Sequence, residues 1–220
     1  MLLYYITDRT QFPGDERTRR RLVLERIGAA ARAGVDFIQL REKDLSTREL
    51  EKLACAAREA IENSARTSGQ PRARLLINSR SDVALAWGAD GVHLRSDDVD
   101  PATVREIWKQ SGATPGPPVI GVSCHSVDEV GHAASQAADF AVFAPVFEKR
   151  ESGVRPAGLD SLREACRVGI PVLALGGVTL DNAGECLRVG AAGVAGIRLF
   201  QESDLRAMVN ALRSLQRIGP

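Results

Sequence analysis

Short apolar runs alternate along this chain with longer segments whose apolar residues recur every three or four positions. The first pattern predicts strands and the second amphipathic helices. Leu2 to Thr7 reads as a β-rich run ending in a Thr7-Asp8-Arg9 turn. Glu16 to Ala33 carries Leu22, Ile27 and Ala31 at roughly helical spacing and stops at Gly34, a natural helix-ending residue. A strand starting at Phe37 follows, then a helix over Leu50 to Ala65 and a polar loop over Thr67 to Arg74. Further strands are predicted at Leu75 to Asn78, Gly91 to Leu94, Val119 to Ser123, Phe140 to Val146, Pro171 to Leu175 and Gly193 to Ile197. The helices between and after them are Ser81 to Trp87, Val104 to Gln110, Val127 to Ala137, Leu159 to Val168, Asp181 to Val189 and Ser203 to Ile218. Gly112 to Pro118 and Glu148 to Pro156 read as loops.

Eight strands thus alternate with eight helical segments. Such alternation with short connections implies a parallel sheet covered by helices, and eight units in this length fit an α/β fold of the (β/α)8 TIM-barrel type as a single domain over residues 1–220. A faint internal repeat agrees: Ala33-Gly34-Val35-Asp36-Phe37, Gly88-Ala89-Asp90-Gly91-Val92, Ala137-Ala138-Asp139-Phe140 and Gly190-Ala191-Ala192-Gly193-Val194 all lead into even-numbered strands. A doubly wound open sheet is the main alternative. It would call for a Gly-rich dinucleotide fingerprint after the first strand, where Thr7-Asp8-Arg9 stands instead.

The stretch Phe37-Ile38-Gln39-Leu40-Arg41-Glu42-Lys43 runs off the end of a strand into a charged turn. Side chains alternate faces along a strand, so Gln39, Arg41 and Lys43 share one face, and Ile38 and Leu40 share the other. An amide, a guanidinium and an ammonium in one row are costly to bury unless an anion fills the row. Phosphate or diphosphate suits it, because Arg offers a planar fork and Lys a point charge. The alternative is a solvent-facing row on an edge strand.

Composition limits the function classes. At 44% hydrophobic and 26% charged residues, the 220-residue chain can build a sizeable core. A net charge of +1 argues against a general nucleic-acid or anionic-membrane binder, so any anion site is local. Cys55, Cys124, Cys166 and Cys186 show no metal spacing and fit free thiols in a reducing cytoplasm. No secretory leader or bilayer-spanning run is expected. A homo-oligomer is compatible with the sequence.

In such barrels the active site lies at the C-terminal ends of the strands. Those ends read Thr7-Asp8, Gln39-Arg41-Lys43, Asn78-Ser79-Arg80, His93 with Asp97-Asp98, Ser123-Cys124-His125, Phe147 to Arg150, Gly176-Gly177 and Gly196-Ile197-Arg198. Nearly all are polar or glycine. Gly176-Gly177, with Gly196 at the next strand end, matches the usual phosphate position of these barrels, and also a tight turn that needs glycine. Asp98 reads equally as a Mg2+ ligand or a helix cap, whereas Asp100, directly before Pro101, reads as a cap. His93 reads as a satisfied barrel histidine and His132 as a surface residue. His125, just past a strand end, is placed for acid–base work or for a loop contact.

Several motifs occur in order: Tyr5-Ile6-Thr7-Asp8-Arg9, Gln39-Leu40-Arg41-Glu42-Lys43, Leu76-Ile77-Asn78, Gly88-Ala89-Asp90-Gly91-Val92-His93-Leu94, Gly121-Val122-Ser123 with His125, and Ala174-Leu175-Gly176-Gly177-Val178-Thr179. Together they resemble the thiamine phosphate synthase/TenI family over nearly the whole chain. The resemblance implies a (β/α)8 barrel and a transferase. Synthase members join a hydroxymethylpyrimidine diphosphate to a thiazole phosphate, giving thiamine phosphate and pyrophosphate. By position, Gln39 would face the pyrimidine, and Arg41, Lys43 and Asn78 would hold the diphosphate. Asp98 would be one Mg2+ ligand, and Ser123 would lie by the pyrimidine or leaving group. Gly176, Gly177, Gly196 and Ile197 would cradle the thiazole phosphate, and Lys149 would reach substrate from the loop after the sixth strand.

The departures from the family pattern are local. Synthases usually show Asn-Asp-Arg where Asn78-Ser79-Arg80 stands, with the Asp on Mg2+. The usual Gly-Gln after His-Leu is Arg95-Ser96, the loop after the sixth strand is shortened, and the eighth strand ends Gly196-Ile197-Arg198. TenI-type chains also lack the acid at position 79 and keep a histidine like His125, yet often lose the equivalents of Lys43 and Asp98. Synthase activity is therefore the leading expectation. A TenI-type thiazole tautomerase using His125, and a non-catalytic ligand-binding or regulatory barrel, are the alternatives.

Overall fold

Eight parallel strands pair in chain order and the eighth closes on the first, a complete barrel. The computed structural model describes residues 1–112, 116–148, 155–201 and 204–215. The strands are β1 (Leu2–Ile6), β2 (Phe37–Leu40), β3 (Arg74–Asn78), β4 (Gly91–Leu94), β5 (Val119–Cys124), β6 (Phe140–Phe143), β7 (Val172–Ala174) and β8 (Gly193–Gly196). Between them run α1 (Glu16–Ala33), α2 (Thr47–Ser68), α3 (Ser81–Ala86), α4 (Pro101–Ser111), α5 (Val127–Ser135), α6 (Gly158–Cys166) and α7 (Leu180–Arg188). A short α8 (Arg198–Gln201) and then α9 (Leu205–Leu215) follow β8. No helix among the described residues is long and apolar enough to cross a membrane.

The period of two sorts the strand residues. Tyr4, Ile6, Phe37, Leu76, Phe140, Val142, Leu173 and Ala195 form one buried cluster that fills the lumen. Their neighbours Leu3, Tyr5, Ile38, Leu40, Leu75, Ile77, Val92 and Leu94 join the larger core under the helices. Aromatic rings build the lumen floor: Tyr4 meets Phe37 and Phe140 edge-on, with centroids 5.9 and 5.5 Å apart.

The sequence repeat has a physical cause. Asp36, Asp90 and Asp139 each accept the backbone N–H at the start of the preceding strand, from Leu3, Leu75 and Ile120, all at 2.7 Å. Each also pairs with an arginine, respectively Arg213, Arg72 and Arg105. The carboxylate thus satisfies a donor at the N-terminal rim that no neighbouring strand reaches. In the fourth copy, Ala192 takes the place of the acid, and its own N–H donates to the Val172 carbonyl.

Several boundaries differ from the sequence prediction for local reasons. α2 starts at Thr47, because Ser46 and Glu49 form a capping box. α4 starts at Pro101, whose missing N–H costs nothing at a first helical position. In α1, Val23 rather than Leu22 enters the core beside Ile27 and Ala31, and Gly34 closes the helix at φ 91 as expected. β6 stops at Phe143, two residues short of Pro145, which has no N–H for the ladder. The C-terminal segment is split: Arg198–Gln201 forms its own turn, and residues 203 and 216–218 lie outside the described residues.

One buried ion pair ties the ends of β1 and β2. Glu42 accepts the Thr7 hydroxyl at 2.6 Å, the Arg9 N–H at 3.0 Å and the Arg9 guanidinium at 3.1 Å. The side chains of Glu42 and Arg9 are 1% and 4% exposed. Burial pushes the Glu42 carboxyl upward, and these donors pull it back toward the charged form. Arg9 also forks onto Asp44 at 2.6 and 2.8 Å.

This packing sets the cost of two substitutions. A methyl group on Gly121 would lie 2.5 Å from the Phe140 ring and 2.9 Å from His93 Nδ1. Gly121→Ala is expected to destabilise the barrel by about 1–3 kcal/mol through overpacking. Glu42→Gln removes one charge of a buried pair and is expected to cost about 3 kcal/mol. Urea denaturation midpoints check both. A Glu42→Gln midpoint equal to wild type would show that the remaining Arg9–Asp44 fork suffices.

Candidate active site

The C-terminal mouth of the barrel is polar and continuous. Gln39, 1% exposed at the end of β2, donates from Nε2 to Asn78 Oδ1 of β3 at 3.1 Å. Asn78 Nδ2 donates to Ser79 Oγ at 3.2 Å, and Ser79 Oγ donates to Asp98 Oδ2 at 2.6 Å. The Arg95 N–H donates to the same oxygen at 2.8 Å. This chain of bonds joins the ends of β2, β3 and β4 around one carboxylate. Ser79 adopts φ 57, in the left-handed region, and its N–H is fixed on the His93 carbonyl at 2.9 Å. A non-glycine residue held there carries local strain of about 1 kcal/mol or more, as is common at functional sites.

Asp98 is not the cap of α4; Asp100 occupies that position. The Asp100 side chain makes no cap bond and instead accepts from His132 Nε2 at 3.0 Å on the surface. Burial pushes the Asp98 carboxyl up, but the Arg95 N–H, the Ser79 hydroxyl and the Arg95 guanidinium together hold it below the usual carboxylate range. Asp98 is therefore an anion facing the mouth, its side chain 15% exposed.

β2 ends at Leu40, so the expected strand row is not continued: Arg41 and Glu42 follow without regular structure, and Lys43 lies in a turn. The Arg41 N–H donates to Thr7 Oγ1 at 3.0 Å, so the Glu42 ion pair fixes the backbone from which Arg41 and Lys43 project. Glu42, between them in the chain, is buried on Thr7 and Arg9, whereas Arg41 is half-buried and Lys43 exposed. Arg41 chiefly, then burial, then Arg95 lower the Lys43 ammonium, with Asp8 opposing. Arg41, Lys43 and Arg95 therefore share one electrostatic neighbourhood.

Beneath them, His93 is buried between Tyr4 and Ser123. Its Nδ1 lies 3.1 Å from the Tyr4 hydroxyl and its Nε2 2.8 Å from Ser123 Oγ. Burial, and secondarily the Arg41 charge, push its pKa down to about 3 against a weak pull from Asp98, so the imidazole is neutral. The histidine that engages Ser123 is thus His93. His125 is exposed, with Nδ1 2.7 Å from the Ala144 carbonyl and its N–H on Glu129 at 2.5 Å.

On the other side of the mouth, Gly176 and Gly177 adopt φ 92 and 66. A Cβ on Gly177 would lie 2.7 Å from the Glu148 carbonyl, so glycine is required by both dihedral and space. Asn182 Nδ2 holds the Gly177 carbonyl at 3.0 Å. Gly196 and Ile197 end β8 beside this turn, since β7 and β8 are paired. Lys149 lies outside the described residues. Among the described residues no group of three His, Cys, Asp or Glu side chains is arranged for a metal.

The structure thus gathers Gln39, Arg41, Lys43, Asn78, Asp98 and Ser123 at one mouth with Gly176, Gly177, Gly196 and Ile197. Sequence reasoning does not single out Arg95 or the Arg9–Glu42 pair. A signal for the latter exists in its phase: an acid one step out of register with Arg41 and Lys43.

Comparison with known proteins agrees with this geometry. The family described as thiamine monophosphate synthase matches residues 3–200. The chain is 42% identical over 217 residues, 97% of its length and 93% of the relative's, to a Geobacter sulfurreducens protein provisionally named a thiamine-phosphate synthase. It is 38% identical to the thiamine-phosphate synthase of Chlorobium luteolum, covering 89% of this chain and 86% of that one. The solved structure of thiamine phosphate pyrophosphorylase from Pyrococcus furiosus superposes with a TM-score of 0.79 at 31% identity, covering 99% of this chain and 97% of that one. The chain therefore belongs to the thiamine monophosphate synthase family.

Proposed function

We propose that this chain is a thiamine-phosphate synthase, a transferase that couples hydroxymethylpyrimidine diphosphate to thiazole phosphate and releases pyrophosphate. The observation that carries the reading is the mouth itself: a cationic cluster beside one anionic Asp98 faces a glycine turn where such barrels bind phosphate. Two phosphorylated substrates need two such subsites.

In this reading Arg41, Lys43 and Asn78 hold the diphosphate, and Gln39 and Ser123 face the pyrimidine. Gly176, Gly177, Gly196 and Ile197 offer backbone to the thiazole phosphate, and Lys149 is assigned to substrate binding. The C–O bond to the diphosphate breaks, leaving positive charge on the pyrimidine methylene. The thiazole nitrogen then supplies the electron pair of the new C–N bond. Arg41 and Lys43 stabilise charge that grows on the departing pyrophosphate, and fixed charges aimed at developing charge usually contribute most to catalysis of this kind. The neutral His93 holds the Ser123 hydroxyl without adding a positive charge next to the cation.

The donor set suits Mg2+, because Asp98 and Ser79 offer hard oxygens and Mg2+ commonly takes few protein carboxylates and completes its shell with substrate phosphate and water. When bound it would neutralise charge on the leaving group. Four free thiols, with Cys124 and Cys186 pushed up to about 12 by burial, suit a reducing cytoplasm.

A second reading rests on His125. Its Nδ1 donates to the Ala144 carbonyl, and the imidazole is exposed at the rim. That is the group a thiazole tautomerase would use.

Turnover of both precursors to thiamine phosphate, with and without Mg2+, tests the main reading. Arg41→Ala and Lys43→Ala are each expected to weaken diphosphate binding by about 2–4 kcal/mol where the charge is desolvated on binding. Their melting temperatures should stay near wild type; retained binding with a collapsed fold would make them structural. Ser79→Asp is expected to raise Mg2+ affinity and the coupling rate at limiting Mg2+, and Asp98→Asn to abolish both gains. No effect of Ser79→Asp, together with loss of thiazole isomerisation in His125→Ala, would favour the tautomerase.

A further inference from the structure

Arg95 follows β4 and is bound to acids on its own loop. Its N–H donates to Asp98 Oδ2 at 2.8 Å. Its Nε lies 3.3 Å from Asp98 Oδ1 and 3.2 Å from Asp97 Oδ1. Both side-chain contacts are long against the roughly 2.7–2.9 Å of a strong charge-assisted bond. The side chain is 58% exposed. An arginine held this loosely is in contact with the acids without being committed to them, and solvent screening leaves the pairing worth little.

Hydrogen bonds also tie its loop to the neighbouring strand ends: Asp98 accepts from Ser79, Ser79 from Asn78, and Asn78 from Gln39 of β2. Lys43 is lowered by Arg41 first, then by burial, then by Arg95, although β2 and β4 are not adjacent strands. One hydrogen-bond chain thus separates Arg95 from the strand end that leads to Arg41 and Lys43, and of these three cations Arg95 is the one that, among the described residues, has carboxylates directly in hand.

We infer that Arg95 is a third cation of the diphosphate subsite, resting on Asp97 and Asp98 in the free protein and transferring to phosphate oxygens when the anion enters. This rests on the synthase reading above. A planar guanidinium matches two phosphate oxygens better than it matches two separate acids through one nitrogen. The move also uncovers Asp98 at the moment the diphosphate arrives. One residue thus couples two events: while Arg95 sits on Asp98 it competes with any metal cation for that carboxylate, and once it leaves, Asp98 can take one. The position of Ser79 supports this order. Its hydroxyl donates to Asp98 and supplies no second negative charge, so the free site offers a dication little beyond that one carboxylate.

The coupling predicts opposite signs for two ligands. Inorganic pyrophosphate and Mg2+ are each titrated calorimetrically into wild-type protein and Arg95→Gln at one ionic strength. The expected result for Arg95→Gln is pyrophosphate binding weaker by about tenfold and binding of Mg2+ alone tighter by several-fold. Arg95→Lys should keep part of the pyrophosphate affinity, because the charge remains and the fork is lost. Unchanged pyrophosphate affinity in Arg95→Gln overturns the inference. A fall in both affinities together, with a lower melting temperature, also overturns it and makes Arg95 a structural tie for the loop after β4. The parent reading fails separately: wild-type protein that neither binds pyrophosphate nor couples the two precursors is no synthase. Wild-type protein that couples them while Arg95→Gln binds pyrophosphate normally leaves the synthase intact without this role for Arg95.

Discussion

The loop that follows β2 hangs from a carboxylate withdrawn from solvent. Glu42 lies between Thr7 and Arg9, one residue away from both Arg41 and Lys43. A buried charge of this kind is tolerated only when each lone pair has a donor, and here a hydroxyl, a backbone N–H and a guanidinium supply them. Such a pair contributes little net stability relative to an apolar replacement. What it does contribute is geometry. Anchoring Glu42 fixes the backbone on either side of it, and the Arg41 N–H held on Thr7 Oγ1 adds a second fixed point.

The lumen is divided by the same alternation. Aromatic and aliphatic residues fill its lower part, where Gly121 makes room for Phe140. Gln39, Asn78, His93 and Ser123 occupy the next inward positions, and each finds a partner among the others or in Tyr4. Polar groups at this depth cost free energy unless they are satisfied. The network therefore stays closed in the free protein and presents a fixed polar ceiling on which a heterocycle can lie. In the proposed synthase reading, the rigid part of the site takes the ring, and the longer, more exposed side chains take the phosphates.

Much of this is legible in the chain, because it depends on local periodicity. The alternation of strands and helices implies the barrel, and the strand ends imply the mouth with Gln39, Arg41, Lys43, Asn78, Asp98 and the two glycine turns. The helix ends are less legible: the start of α2 depends on a capping box at Ser46 and Glu49, which is a side-chain event. The role of the repeated Asp36, Asp90 and Asp139 can be seen as a pattern but not explained, since each acts on a strand about fifteen to thirty-five residues away in the chain. His93 and His125 show the same limit. Nearness in sequence pairs Ser123 with His125, whereas the barrel register pairs it with His93 on the adjacent strand.

The electrostatics of the free mouth bear on how it works. The charges of Arg41 and, less strongly, Arg95 both disfavour the charged form of Lys43. That repulsion raises the energy of the free protein, and a multiply charged anion between the three relieves it. Relief is greater for a leaving pyrophosphate than for an esterified diphosphate, because the leaving group carries more charge. In the synthase reading proposed above, the same three cations would favour the state in which the C–O bond is broken, and binding energy that differs between ground and transition states is what accelerates a reaction. Asp98 is largely withdrawn from solvent, and Arg95 touches it through both its N–H and its side chain. Placing the compensating anion on a residue that can exchange partners keeps the cluster stable when empty without cancelling it when full.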